Sequence, residues 1–126
     1  MIVIDPYSRA PIYEQIIRRI TELIMVGELK NGDKLPSVRM LARELGVNPN
    51  TIQKAYAELE RSRIIYTVSG KGNFVGEQEI VSRQVRTQLL DALRTAMCAA
   101  HSNNVEREAV LQLVDEVYRE GAMGSD

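Results

Sequence analysis

The run Leu45-Gly46-Val47-Asn48, followed by Pro49, constrains this chain more than any other stretch of its sequence. Gly46 ends one helix by taking a left-handed conformation, and Asn48 with Pro49 is a start signal for the next. Two short helices joined this tightly match a helix-turn-helix, whose turn often contains Gly. On the incoming side, Ser37 follows Pro36 as a cap, and Val38, Leu41, Ala42 and Leu45 make one apolar face. On the outgoing side, Ile52, Ala55, Tyr56 and Leu59 are the candidate buried set. At 100° per residue, Asn50, Lys54, Ala57 and Arg61 fall within about 60° of one another on the opposite face, flanked by Gln53.

Upstream, Tyr13, Ile16, Ile17, Ile20, Leu23 and Ile24 step by three and four, the apolar stripe of a first helix. Pro11 suits its first turn, and Gly27 suits the left-handed residue just past its end. Glu28 to Pro36 reads as a loop turning at Asn31-Gly32, and Ile2-Val3-Ile4 as a short strand in need of a partner. Downstream, Ile64 to Val68 is rich in β-branched and aromatic residues. Ser69-Gly70-Lys71-Gly72-Asn73 is a flexible, positively charged tip, and Phe74-Val75 resumes the extended pattern. Three helices and this hairpin predict a winged helix-turn-helix over residues 1–76.

Residues 77–126 read as helical. Val81, Val85, Leu89, Leu93 and Met97 recur every four residues, Ser102-Asn103-Asn104 interrupts, and Asn103 with Glu106 resembles a capping box. Val110, Leu113, Val114, Val117 and Tyr118 form a second stripe before Gly121, and residues 121–126 are assigned no structure. A two-helix hairpin this short cannot enclose its own apolar faces, so it is expected to pack against a second copy. Val85, Leu89, Leu93, Met97, Val110, Leu113, Val114 and Val117 are the candidate dimerisation residues. The fold class is therefore mainly α with a small β hairpin, an N-terminal winged head followed by a C-terminal helical hairpin for dimerisation.

Composition narrows the partners. The 126 residues carry 16 Lys+Arg and 17 Asp+Glu, so this is no generic polycation. The charge is uneven: residues 1–76 hold 11 − 8 = +3 and residues 77–126 hold 5 − 9 = −4. A polyanion is expected on the first half. One Cys excludes a disulfide framework or a multi-cysteine zinc site. No apolar run approaches the roughly 18 residues of a membrane span, and the start, Met1-Ile2-Val3-Ile4-Asp5, does not read as a secretory signal. A reduced, cytoplasmic, membrane-free setting is expected.

A helix-turn-helix with a wing is a device for reading duplex DNA, its second helix lying in the major groove. Asn48, Asn50, Thr51, Gln53 and Lys54 are placed at that helix's leading end. Asn and Gln can pair bidentately with adenine, and Lys can donate to guanine or phosphate. The bland alternative is a solvated polar face, but within this helix no carboxylate precedes Glu58 to repel phosphate. Arg39 and Arg43, one turn apart after Ser37, suit a phosphate anchor at a helix N-terminus; Arg43 is equally suited to pair with Glu44 or Glu58. Lys71, between Gly70 and Gly72, is unobstructed towards a backbone or minor groove.

The run from Pro11 to Val75 resembles the GntR family of bacterial transcription regulators. The resemblance is carried by Pro11-Ile-Tyr-Glu-Gln-Ile16, Gly27-Glu-Leu29, Gly32-Asp-Lys-Leu-Pro-Ser-Val-Arg39, Leu45-Gly-Val-Asn-Pro-Asn-Thr51 and Gly70-Lys-Gly-Asn-Phe-Val75. The short helical C-terminus resembles the YtrA subgroup in particular. The resemblance implies DNA contacts from Ser37, Arg39 and Arg43, from the Asn48–Lys54 stretch, and from the wing tip Ser69, Gly70, Lys71 and Gly72. It also implies a homodimer on a palindromic operator, usually acting as a repressor. Two positions depart from the family: Met40 stands where Glu is common, and Ser62-Arg63 where Glu-Gly is. Without Gly, Arg63 either takes a left-handed conformation costing ~1 kcal/mol or lets the helix run on; it could also add a phosphate contact.

The alternative is a winged-helix protein-interaction module that does not read DNA, since fold alone does not fix function. No motif supports an enzyme or a cofactor. Cys98 and His101 share a helical face at a spacing used by half-sites of metal centres, yet with no further His or Cys the favoured reading is a buried Cys beside a polar group. No effector is identified; the last forty-five or so residues hardly enclose a metabolite within one chain, so a ligand would sit between subunits, or between head and hairpin, and alter the angle between the heads.

Overall fold

In the computed structural model, which describes residues 2–124, the elements run α1 (Ile12–Met25), α2 (Val38–Leu45), α3 (Pro49–Arg61), β1 (Ile65–Val68), β2 (Gly72–Val75), α4 (Gln78–Ser102) and α5 (Arg107–Gly124). The chain divides into two units after Arg86. In the first, the apolar stripe of α1 supplies Ile16, Ile20 and Ile24, α2 supplies Leu41 and Ala42, and α3 supplies Ile52, Ala55, Tyr56 and Leu59. Leu35, Ile64, Ile65, Val75 and Val81 close this core. Each buried isoleucine or leucine contributes about 1.5–3 kcal/mol by leaving water, which outweighs the intrinsic preferences of helices as short as α2.

The helix ends follow the residues expected of them. Ser37 Oγ accepts the Met40 N–H at 3.1 Å, and Gly46 is left-handed at φ 69°. Asn48 Oδ1 accepts the Asn50 N–H at 2.8 Å, with Pro49 opening α3. Pro11 lies one residue outside α1 rather than in its first turn, and Gly27 is left-handed at φ 83°. Arg63 takes the left-handed alternative at φ 63°, and the Ile64 N–H closes the end of α3 on Leu59 O at 2.9 Å. A left-handed Arg costs roughly 1–2 kcal/mol. The turn is held from the other side by Gly76, whose N–H donates to Ile64 O and where any Cβ would come within 3.0 Å of two backbone oxygens.

The hairpin pairs Ile65 with Val75, Tyr66 with Phe74, Thr67 with Asn73 and Val68 with Gly72. Pairing therefore reaches further than the sequence suggests: Gly72 and Asn73 are in the strand, and the tip shrinks to Ser69-Gly70-Lys71. The Tyr66 and Phe74 rings stack across the strands at 5.7 Å. The expected loop Glu28–Pro36 turns at Gly32, then lies along the free edge of β2 as an isolated bridge between Lys34 and Phe74. Ile2–Ile4 forms no strand; Ile2 and Ile4 lie half-buried against the core instead, where burial substitutes for ladder pairing.

Helix α4 begins in the first unit, where Val81 is fully buried and Ser82 Oγ donates to Met25 Sδ at 3.7 Å. It ends on a left-handed Asn104 (φ 63°), with the Val105 N–H donating to Ala100 O. The capping box is not formed: the Asn103 side chain donates backwards to Ala99 O at 2.8 Å, completing α4 rather than starting α5. Glu106 presents its carbonyl to the first turn of α5, and α5 runs on to Gly124, so residues 121–124 are helical where none was assigned. Residues 125 and 126 lie outside the described part.

Tyr56 links the core to the start of α2. Its hydroxyl donates to Pro36 O at 2.7 Å, and burial, then the Glu44 charge, pushes the phenol well above the usual tyrosine range. A raised folded value stabilises fully below the unfolded value near 10 and is lost as pH rises through the folded one. Urea unfolding is therefore expected to show stability falling above about pH 10, with a flatter alkaline limb in Tyr56→Phe. At neutral pH the same variant is expected to lose about 0.5–1.5 kcal/mol with its hydrogen bond.

Candidate nucleic-acid interface

With Ile52, Ala55, Tyr56 and Leu59 consumed by the core, α3 leaves Asn50, Gln53, Lys54, Ala57 and Arg61 exposed, as the helical spacing requires. Asn48 is exposed as well, its carbonyl oxygen committed to the cap and its amide nitrogen able to donate outward. Thr51 is half-buried. The small Ala57 keeps the middle of this face low, which lets another surface approach closely.

Arg39 and Arg43 are exposed on α2 and, among the described residues, neither is ion-paired. Of the two carboxylates expected to compete for Arg43, Glu44 is in no ion pair among the described residues, and Glu58 is taken by Arg61 instead, at 2.7 Å. That hydrogen bond holds the Glu58 carboxyl below the usual carboxylate range against some desolvation, with the Arg61 and Lys54 charges adding to it. Arg61 is thus occupied, and the two α2 guanidiniums are free. Their placement relative to α3 is fixed by the Tyr56–Pro36 hydrogen bond, which ties the entry of α2 to the inner face of α3. Ser37 keeps its hydroxyl on the Met40 N–H, so its own remaining donor is the hydroxyl hydrogen.

One contact has no trace in the sequence. The Lys54 ammonium rests 3.9 Å from the centroid of the Tyr13 ring on α1. Periodicity reads Tyr13 simply as part of the α1 stripe, and only the packing of α1 against α3 shows that its half-buried ring faces a lysine. Such a pair at an exposed site stabilises by about 0.5–1 kcal/mol, enough to bias where the ammonium sits. At the wing, Ser69, Gly70 and Lys71 are exposed and Gly72 is half-buried, with Gly70 at φ 75° making the turn. Thr67 Oγ1 donates to Asn73 Oδ1 at 2.8 Å across the strands, stiffening the base of the tip.

In the second unit, Leu89, Leu93, Met97, Leu113, Val114 and Val117 are all large apolar residues left exposed, Leu89 by 65% and Leu113 by 58%. Val110 is half-buried, while Val85 packs on the winged core beside Val81. Leu93, Met97, Val110, Leu113, Val114 and Val117 line one apolar groove of about 860 Å³ between α4 and α5. Cys98 is exposed, contrary to the buried position expected of it. Among the described residues there is no cluster of three His, Cys, Asp or Glu side chains arranged to hold a metal, and no helix is long and apolar enough to cross a membrane.

The profile of the bacterial regulatory proteins of the gntR family matches residues 12–75. The chain is 44% identical, over 93% of its length and 92% of the relative's, to the HTH-type transcriptional repressor YtrA of Bacillus subtilis. A solved GntR family transcriptional regulator from Listeria monocytogenes superposes with a TM-score of 0.66 at 36% identity, covering 90% of this chain and 98% of that one. The DNA-binding domain of AraR, solved in complex with operator ORX1, superposes with a TM-score of 0.53 at 32% identity, over 59% of this chain and 92% of that one.

The Tyr13–Lys54 contact is open to a direct check. Ring-current shielding of the Lys54 ε-methylene protons is expected in the wild type and in Tyr13→Phe, and is expected to vanish in Tyr13→Leu. Proton–carbon NMR of the side chains measures all three.

Proposed function

The chain belongs to the gntR family of bacterial regulatory proteins and is a DNA-binding transcriptional regulator with a winged helix, and from that premise we propose that it acts as a cytoplasmic repressor, binding a palindromic operator in double-stranded DNA as a homodimer. The observation that carries this reading is the outer face of α3: Asn50, Gln53 and Lys54 project from a helix whose opposite side is wholly used by the core. No carboxylate stands among them. The repressor named above, similar over nearly the whole chain, and the AraR domain solved on an operator support it.

In this reading residues 1–76 recognise DNA and residues 77–126 dimerise. The leading end of α3 enters the major groove, where Asn50 and Gln53 suit adenine and Lys54 suits guanine or a phosphate. Asn48 and Thr51 lie at the groove edge. Ser37, Arg39 and Arg43 anchor phosphates at the N-terminus of α2, and Ser69, Gly70, Lys71 and Gly72 bring the wing to the adjoining backbone or minor groove. The exposed faces of α4 and α5 pack against those of a second copy, because apolar area of this extent is otherwise left in water. A two-fold axis then sets the two heads about 34 Å, one helical turn of DNA, apart.

Selection of a random duplex pool by the purified protein is expected to enrich an inverted repeat. Asn50→Ala is expected to cost about 1–3 kcal/mol at one base pair of each half-site and to relax preference there. Arg39→Ala is expected to weaken all sequences alike and to lower the salt slope by about 1. A pool that returns neither enrichment nor salt-dependent binding would instead favour the protein-interaction module. For the dimer, sedimentation of Leu93→Glu/Leu113→Glu is expected to give a species near the 14.2 kDa chain mass, with thermal unfolding of the winged head retained.

A further inference from the structure

We propose that Lys34, in the loop between α1 and α2, is a DNA-backbone contact that belongs functionally to the wing, held there by pairing with β2 and given room by Gly72. The inference rests on the DNA-binding reading above and extends it to a residue that lies outside the reading helix, the α2 anchor and the wing hairpin.

Two independent features bear on where this residue lies. Its backbone is held on the free edge of β2 by three hydrogen bonds of 2.8 Å, from the Gly32 N–H to Val75 O, from the Val75 N–H to Asp33 O and from the Leu35 N–H to Asn73 O. Lys34 stands opposite Phe74 in this pairing, so its Cα moves with the wing and not with a loose loop. Gly72 leaves room for the side chain to lie where it does. That residue sits at φ 121°, and a Cβ built on it would lie 3.1 Å from Lys34 Cε and 3.9 Å from Nζ. The end of the lysine therefore occupies the space a side chain at position 72 would fill, next to the residue that carries the exposed Lys71.

Its neighbouring carboxylate is hydrogen-bonded elsewhere. The adjacent Asp33 carboxylate accepts the Lys30 N–H at 2.8 Å. Among the described residues Lys34 is in no ion pair, and the hairpin from Ile64 to Gly76 contains no Asp or Glu. Lys34 and Lys71 are thus both exposed, with the Lys34 ammonium beside position 72 and Lys71 the next residue in the chain, and a hairpin end carrying two lysines and no carboxylate of its own suits a polyanion. A lysine offers a point charge rather than a planar fork, and phosphate oxygens are its usual partner on DNA, positioning the protein without reading sequence.

The test is the salt dependence of binding to two duplexes of equal length, one enriched by selection and one scrambled, for wild type, Lys34→Gln and Lys34→Arg. Lys34→Gln is expected to lower the slope of log K against log salt by about 0.9 per bound subunit, so its deficit against wild type is roughly threefold larger at about 0.05 M salt than at about 0.15 M. The change should be the same on both duplexes, and Lys34→Arg should restore the wild-type slope. A Lys34→Gln slope that superposes on a steep wild-type slope overturns the proposal and leaves the DNA-binding reading standing. So does a deficit confined to the selected duplex, which marks base reading, or one that Lys34→Arg fails to restore, which marks a structural role. A wild type that binds neither duplex overturns both.

Discussion

The burial of one side of α3 is the constraint on which the rest of the head depends. Ile52, Ala55, Tyr56 and Leu59 are all but inaccessible to water, packed against isoleucines of α1 and against Leu41 and Ala42 of α2. A helix that gives up one side so completely has a single orientation left about its axis, and the outward placement of Asn50, Gln53 and Lys54 follows from it. Tyr56 adds a polar tie to this packing, its hydroxyl donating to Pro36 O at the start of α2. The exposed arginines of α2 and the polar outer face of α3 are thereby two consequences of the same core.

The path of the chain out of α3 shows what that core demands of the backbone. Ile64 and Ile65 must return to the core at once, and the reversal is made by a left-handed Arg63 rather than by a glycine. The strain is sustained because the turn is gripped on its far side: the Gly76 N–H donates to Ile64 O, and Gly76 has no room for a side chain. A residue that looks out of place in the sequence is made tolerable by one elsewhere whose only qualification is its lack of a Cβ. Gly72 plays the same part for Lys34, its missing side chain leaving the space the lysine stem fills.

The two units spend their apolar residues in opposite ways. In the first, the periodic residues of α1, α2 and α3 are nearly all taken into the core; in the second, those of α4 and α5 remain on the surface. Both stripes are equally plain in the sequence. Periodicity reports that a helix has an apolar face, and it is silent on whether that face is covered within the same chain. Val81 and Val85 illustrate the point: they belong to the same every-fourth repeat as Leu89 and Leu93, yet they pack on the winged core while the latter are exposed.

What the sequence determined by itself was local: the caps at Ser37 and Asn48, the left-handed Gly46, the buried and outward faces of α2 and α3, and the existence of a charged hairpin tip. Each depends on neighbours within a few residues, where helical periodicity and backbone sterics act directly. What only the tertiary structure decided was every contact between segments distant in the chain. The Tyr13 ring under Lys54, the pairing of Arg61 with Glu58, the pairing of the Asp33–Leu35 segment with β2 and the turning back of Asn103 onto α4 all were of this kind or depended on competition between partners. Ile2–Ile4 had the composition of a strand and became part of a core margin instead. A strand is completed by a partner in space, and sequence spacing holds no record of where that partner lies.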